Sequence, residues 1–381
     1  MMITSFMLMA LLIFDFAVST PMEMPAEPAA AQVANQNFIP VEGGSLKAKM
    51  DAAVRLGRAS ARSGKYWTGY QFNVKPGITV DVEWQGKKGE RSSTEKYETR
   101  NLGIFFLRED ESDKITRVEV YNLERQHDFN GYPVYWLGRA TNDESFARLK
   151  ELIDRDATEK VGERATMALA IHDDSRIGQM LESIVRNSTA ERIRKSAVFW
   201  LGQTEGETMF LSELVRNDQE STEIRKQAAF AIGVSQDAQA LTALQNLYSQ
   251  VSNREVKKQV IFGAFVNNKN SDAAVDFLIQ IAEKETDRET RKQAIFWLGQ
   301  KAGQRSLEVL GQTVERTDED TEVQKQAVFA ISQRKKDESV PMLVKLAKTH
   351  PKPEVRKQAL FWLGQVDDER ALELFKEILS K

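Results

Sequence analysis

One short phrase recurs through the second half of the chain at a nearly constant interval. It reads ERIRKSAVFWLG from Glu191, TEIRKQAAFAIG from Thr222, REVKKQVIFGAF from Arg254, RETRKQAIFWLG from Arg288, TEVQKQAVFAIS from Thr321 and PEVRKQALFWLG from Pro353. A weaker copy runs from Lys160 to Ala170, and Tyr135-Trp136-Leu137-Gly138 reads as the start of another. Aligned on the residue at their centre (Ala165, Ala197, Ala228, Val260, Ala294, Ala327, Ala359), the seven copies lie 32, 31, 32, 34, 33 and 32 residues apart. A period held that closely means an array of like supersecondary units rather than one irregular core.

Each period holds two helical patterns. Between Asp337 and Lys348, Val340, Leu343, Val344, Leu346 and Ala347 fall on one stripe, the spacing of an amphipathic helix. Thr349-His350-Pro351-Lys352-Pro353 interrupts it, and a second helix follows. Thr222, Asn253, Asp287 and Thr321 are capping-type residues at the start of second helices. Gly202, Gly233, Gly299 and Gly364 stand near their ends, where glycine is favoured. One such pair cannot bury its own apolar stripe, whereas stacked pairs can. The expectation is a mainly α protein: a right-handed α-solenoid of about seven helix pairs over residues 131–381, preceded by a small antiparallel β-rich domain.

That domain is read between residues 45 and 130. Ser45 to Gly64 has the pattern of one amphipathic helix, through Leu46, Met50, Ala53 and Leu56. Ile78 to Trp84 and Ile115 to Tyr121 alternate with period two, Trp67 to Val74 and Leu102 to Leu107 are strand-like, and 85–100 is a polar connection. About four strands are expected, placed to cap the first repeat.

The beginning of the chain differs in character. Ile3 to Phe16 is apolar apart from Asp15, shorter than the ~20 residues of a membrane span and of signal-peptide length. Residues 1–31 are therefore read as a signal peptide and its flank, and 32–44 as a flexible linker. The protein is expected to be exported, to the periplasm, with no membrane insertion of the mature chain. A tail or a misplaced start codon, in a cytoplasmic protein, is the alternative.

Charge and composition narrow the function. The chain carries 53 Lys and Arg against 56 Asp and Glu; beyond residue 46 the figures are 53 and 52. A dedicated nucleic-acid binder would need a basic excess to displace counterions, so no nucleic acid is expected as partner. There is no cysteine, which removes thiol chemistry and Cys-ligated zinc. His127, His172 and His350 stand apart, and neither HExxH, a G-x-S-x-G elbow nor a phosphate loop is present. His172-Asp173-Asp174 is the nearest thing to a metal cluster and reads as a loop. No catalytic, metal or cofactor residue is assigned.

At about 100° per residue, with Val355 at the origin, Ala359, Trp362 and Leu363 face the core. Lys357 falls at about 200° and Phe361 at about 240°, neighbours four residues apart on the opposite side. The pair recurs as Lys195 and Phe199, Lys226 and Phe230, Lys258 and Phe262, Lys292 and Phe296, and Lys325 and Phe329. Two readings compete. The rings and lysines form a face for an acidic, partly apolar protein or peptide. Alternatively, the rings pack sideways on the next repeat while each lysine pairs with a glutamate three residues earlier (Glu223, Glu255, Glu289, Glu322, Glu354). Gln227, Gln259, Gln293, Gln326 and Gln358 fall at the core's edge and are expected to bond to one another or to backbone. Trp136, Trp200, Trp297 and Trp362 are read as core-facing.

With its V-R-K-x-A-x-x-x-L-G skeleton, the segment from Pro133 to Lys381 resembles the HEAT-like repeats of the phycobilisome-lyase type. The combination with a preceding β-rich domain resembles exported bacterial HEAT-repeat proteins. The resemblance implies that the second helices line a concave surface, and it implies scaffold or adaptor work. The main expectation is a non-catalytic protein-binding scaffold. An enzyme accessory factor or chromophore lyase is the alternative, while the His-Glu pairs used by di-iron hydroxylases built on this repeat are missing.

Overall fold

A strand too short to stand alone is the first element among the described residues. In the computed structural model, which describes residues 37–60, 64–81, 96–109, 114–154, 158–267, 271–301 and 303–380, Ile39–Pro40 (β1) pairs in parallel with a distant strand. The signal-peptide reading lies outside the described residues. Part of the stretch read as linker is thus an edge strand. The chain divides into two compact units, up to Ala197 and from Val198 onward.

In the first unit β1 is followed by helix α1 (Leu46–Ser60), strands β2 (Lys65–Gln71), β3 (Thr79–Asp81), β4 (Lys96–Glu98), β5 (Leu102–Glu109), β6 (Lys114–Asn122) and β7 (Val134–Arg139), then helices α2 (Asn142–Asp154), α3 (Glu159–Ala170) and α4 (Ile177–Asn187). Helix α5 (Glu191–Leu201) crosses the division. Five strands form one sheet in the order β1-β7-β2-β5-β6, and β3 with β4 forms a separate antiparallel ribbon.

The large sheet is mixed, which corrects the antiparallel expectation. β2, β5 and β6 run antiparallel, but β7 inserts between β1 and β2 and is parallel to both. The correction comes from Tyr135-Trp136-Leu137-Gly138, which is strand and not the start of a repeat. Pro133 precedes it, its residues are β-formers, and Gly138 has φ +75°, a left-handed conformation that breaks a helix, suits glycine and here sits where the β2–β7 register shifts. The β4 strand lies inside the stretch read as a polar connection.

β5 is buried on both faces, so its sequence reads as a continuous apolar run. On one side of the sheet, Tyr66 of β2 lies so close to α1 that a Cβ on Gly57 would stand 2.6 Å from its ring. On the other, Trp67, Phe105, Leu123, Phe129 and Val134 form an aromatic cluster rimmed by Phe38, Tyr121 and Trp136. Trp136 belongs to this cluster and not to a repeat.

The second unit contains α6 (Thr208–Arg216), α7 (Thr222–Val234), α8 (Ala240–Gln250), α9 (Arg254–Val266), α10 (Ser271–Lys284), α11 (Arg288–Gln300), α12 (Gln304–Glu315), α13 (Thr321–Ser332), α14 (Lys336–Thr349), α15 (Pro353–Leu363) and α16 (Glu369–Leu379). From α2 to α15 the helices fall in pairs, α16 follows singly, and the repeat region is an α-solenoid. The alignment residues Ala228, Val260, Ala294, Ala327 and Ala359 of the second helices are all fully buried.

Side-chain caps start four of the second helices. Ser221, Asn253, Asp287 and Asp320 accept hydrogen bonds from backbone N–H groups of the first turns of α7, α9, α11 and α13. Each such cap is worth ~1 kcal/mol. Two caps therefore sit one residue before the Thr222 and Thr321 expected to supply them. The helix-end glycines serve a different purpose from the one expected. None of Gly202, Gly233, Gly299 or Gly364 is left-handed. A Cβ on Gly233 would stand 2.5 Å from Gly263 Cα, and one on Gly299 would stand 2.8 Å from Ala330 Cβ. Three of these glycines let neighbouring second helices touch backbone to backbone, and a Cβ on Gly202 would meet the Ala231 carbonyl at 2.6 Å.

A recurrent clamp ties most second helices to their own first helices. Arg225 Nε donates to the Val215 carbonyl (2.9 Å), Arg291 Nε to Ala282 (3.1 Å), Gln324 Nε2 to Val314 (2.8 Å) and Arg356 Nη1 to His350 (2.7 Å). In the first unit Arg194 Nε donates to Val185 (2.7 Å). These carbonyls stand at first-helix C-termini, where acceptors lack intrahelical partners and cations are favoured. Lys257 departs from the pattern: it pairs with Glu285 at 3.6 Å and lies 4.9 Å over the Tyr248 ring.

Candidate functional site

The residue after the clamp position is the recurring lysine, and the structure pairs nearly all of them. Lys226 meets Glu223 at 3.0 Å, Lys258 meets Glu255 at 3.2 Å, Lys292 meets Glu289 at 3.5 Å and Lys325 meets Glu322 at 3.0 Å. In the first unit Lys195 pairs with Glu191 at 2.8 Å, one turn earlier. Lys357 is exposed and forms no ion pair among the described residues. The lysine row is therefore a row of local ion pairs, each worth ~0.2–0.5 kcal/mol on a helix surface. It supplies little free positive charge.

The phenylalanines form a continuous stack along the second helices. Phe199 and Phe230 lie 6.5 Å apart between centroids, nearly parallel at 17°, and Phe230 and Phe262 lie 5.9 Å apart at 6°. Phe262 then meets Trp297 at 4.9 Å, and Trp297 meets Phe296 edge-on at 4.7 Å. Phe296 stacks on Phe329 at 6.1 Å, Phe329 meets Trp362 at 5.0 Å, and Trp362 meets Phe361 at 5.0 Å. Whether a tryptophan enters depends on the residue following each phenylalanine. Where it is small, as in Ala231, Gly263 and Ala330, successive phenylalanines stack directly; where it is Trp297 or Trp362, the indole fills the step.

Phe199, Phe230, Phe262, Phe296 and Phe329 are half-buried, so the sideways-packing reading describes their inner edges. Their outer edges remain at the surface. Phe361, with no ring beyond it, is 55% exposed. Trp200, Trp297 and Trp362, read as core-facing, are half-buried members of this stack. The indole nitrogens of Trp297 and Trp362 are buried without a hydrogen-bond partner among the described residues, whereas Trp67 donates to the Phe129 carbonyl at 3.3 Å.

The glutamines depart furthest from expectation. Gln227, Gln259, Gln293, Gln326 and Gln358 are all half-buried beside the rings, yet none forms a hydrogen bond among the described residues. Successive amides do not bond to one another. None of their amide atoms is buried, and each glutamine stands three residues before a phenylalanine of the stack, on the same side of its helix.

Elsewhere the titratable groups are structural. His172 lies in the core of the first unit, 1% exposed, against the rings of Phe72 (4.4 Å) and Phe146 (5.0 Å). Its Nδ1 lies 2.8 Å from the Ala168 carbonyl, so that nitrogen donates, and Nε2 accepts from Ser145 Oγ at 2.8 Å. Ser145 Oγ in turn accepts from the Tyr70 hydroxyl at 2.9 Å. Burial lowers the imidazole pKa to about 4 and pushes the Tyr70 phenol well above its usual range. The chain is closed to solvent, so it is a set of core hydrogen bonds. Asp174 is held ionised by Arg176 and Asn142, and Asp173 pairs with Arg100. Among the described residues no group of three or more His, Asp or Glu is placed to hold a metal ion. No described helix is long and apolar enough to cross a membrane.

Residues 307–381 match the family model described as HEAT repeats. Among proteins with curated descriptions, none matches this sequence. Similar solved structures include the following three. A lipovitellin structure concerned with lipid–protein interactions shares 17% identity and a TM-score of 0.46, over 58% of this chain and 26% of that one. Human deoxyhypusine hydroxylase in complex with glycerol shares 16% identity and a TM-score of 0.31, over 62% and 89%. A computationally designed self-assembling cyclic homo-oligomer shares 16% identity and a TM-score of 0.12, over 63% and 82%. This chain thus spans about a quarter of the lipovitellin chain. At these identities and scores none of the three carries an argument about function.

Proposed function

We propose that this HEAT-repeat protein is a non-catalytic scaffold that docks a protein partner along the second-helix face of its second unit. The observation that carries the reading is the coincidence, on α7, α9, α11, α13 and α15, of exposed ring edges with glutamine amides that have no hydrogen-bond partner among the described residues. Half-buried rings supply apolar contact area at small entropic cost, and adjacent polar groups fix orientation, which is the usual division of labour at an interface. A face with only a packing role would leave neither feature at the surface five times over.

The test is a photo-reactive aromatic amino acid at Gln293 on this face, with Gln280, exposed on α10, as control. A polypeptide captured from native extract at 293 and not at 280 supports the proposal. Equal capture at both positions, or capture at 280 alone, refutes it. The setting proposed is extracytoplasmic, on the strength of the apolar Ile3 to Phe16 stretch. Intact-mass analysis of native protein should place the mature N-terminus between Thr20 and Gln32, and retention of Met1 or Met2 would contradict it.

A further inference from the structure

We infer that the docking face reads the main chain of an extended polypeptide segment that carries little net charge. The inference rests on the docking proposal and specifies its ligand. Three observations lead to it.

The first is the unbonded glutamine row. A primary amide offers a donor and an acceptor together, the complement of one peptide unit. None of these amide atoms is buried away from solvent, so each can exchange water for a ligand group. Here the same residue type is left open at the same place in five successive repeats. Water can serve each amide in the free protein; a polypeptide lying across the helices can serve several at once.

The second is the spacing of the rings. Directly stacked phenylalanines lie 5.9–6.5 Å apart. Alternate side chains of an extended strand recur every ~6.6–6.8 Å. A segment running along the stack keeps register over three rings with a cumulative error of about 1 Å, while its same-side residues meet successive rungs. A helix also matches, since residues four apart lie ~6 Å along its axis. The glutamines decide between them: a helix has already bonded its main-chain groups internally, and an extended segment has not.

The third is charge. Four of the five lysines of this face in the second unit are tied to glutamates on their own helices. Lys357 alone is unpaired among the described residues. The reason for expecting an acidic partner is therefore gone. An acidic segment would meet the paired glutamates as well as the lysines, and electrostatic steering would be weak.

The probe is a phage-displayed library of linear twelve-residue random peptides, panned on the full chain. Enriched sequences are resynthesised and measured by fluorescence anisotropy. Two sets of variants separate the inference from the proposal beneath it. Gln227→Met, Gln259→Met and Gln293→Met together keep side-chain volume and remove the hydrogen bonds. Gln259→Trp obstructs the face for a ligand of any chemistry. Thermal melts establish that both variants remain folded.

The inference predicts peptides with apolar residues at alternate positions and little net charge. The triple Met variant should bind them on the order of 100-fold more weakly, from three hydrogen bonds of ordinary net strength. N-methylation of the peptide at alternate backbone nitrogens should abolish binding, and affinity should change little between 50 and 500 mM salt. If Gln259→Trp blocks binding while the triple Met variant and N-methylation do not, the main chain is not what is read: the inference falls and the docking face stands. If neither variant affects binding, or no peptide is enriched, both fall.

Discussion

Replacing Phe296 with alanine should destabilise the second unit far more than the same change at Phe361. Phe296 is half-buried, edge-on to Trp297 at 4.7 Å and stacked on Phe329 at 6.1 Å. Complete burial of a phenylalanine makes its loss cost ~3–5 kcal/mol, and each aromatic pair adds ~0.5–1.5 kcal/mol. Discounting the exposed outer edge leaves ~3 kcal/mol at Phe296. Phe361 is 55% exposed and keeps only Trp362 as a ring neighbour, so its loss should cost ~1 kcal/mol on the same reasoning. In a cooperative unit of this size, 1 kcal/mol moves Tm by ~2–4 °C. Differential scanning calorimetry should therefore show a drop of ~6–12 °C for Phe296→Ala and ~2–4 °C for Phe361→Ala. Equal small shifts would mean that the stacked rings contribute nothing to cohesion between repeats, and the packing account would be wrong.

Other consequences are open to direct measurement. Gly233→Ala puts a methyl 2.5 Å from the Gly263 Cα; despite alanine's better helix propensity it should destabilise by ~1–3 kcal/mol, and a variant as stable as the parent would remove the close-approach argument. The folded pKa of His172 is depressed to about 4 from an ordinary 6.5, so the unfolded chain binds the proton first. Its contribution is present above pH 6.5 and is lost as pH falls toward 4, by ~3 kcal/mol. Urea unfolding followed by a first-unit probe should lose stability across that window, and His172→Phe should flatten the loss; an unaltered slope would contradict it. Asp287, held down to about 2 by Thr290 and Arg254, acts at lower pH and leaves the window clear. Changing Lys258, Lys292 and Lys325 together to Gln removes three exposed pairs and should cost ~1 kcal/mol in all. It should alter affinity for the selected peptides less than threefold, whereas a tenfold loss would restore an acidic partner.

The solenoid was legible because its signals are local and repeated. The period, the helix pairs and the fully buried Ala228, Ala294, Ala327 and Ala359 all follow from spacing within about 35 residues, the range over which a repeat speaks for itself. The sheet was less so. Strand β7 pairs Val134 with Trp67 and Tyr135 with Thr68, a long-range parallel pairing that no local pattern encodes. Its Tyr-Trp-Leu-Gly letters also match the end of the repeat phrase. Trp297 and Trp362 were misplaced for a different reason. On a helical wheel they sit at the edge of the core, and what lies beyond that edge depends on how closely the next helix approaches. That distance is set by small residues such as Gly233, Gly263 and Ala330 on neighbouring helices. The arginine clamp could have been read from the recurrence of Arg225, Arg291 and Arg356 beside each lysine, given that first-helix carbonyls need donors. The lysine–glutamate pairs were readable three residues apart. The open state of the glutamine amides was not, since it depends on the absence of partners in three dimensions.

The most direct test of the docking face is calorimetric titration of the polypeptide captured at position 293 into three proteins: the parent chain, Gln293→Trp and Gln280→Trp. Gln280 is exposed and Gln293 half-buried beside the stacked rings, so the Tm of each variant is measured alongside its affinity. The account predicts at least a tenfold loss of affinity for Gln293→Trp with no change for Gln280→Trp. Undiminished binding by Gln293→Trp in a protein of unaltered Tm would contradict it.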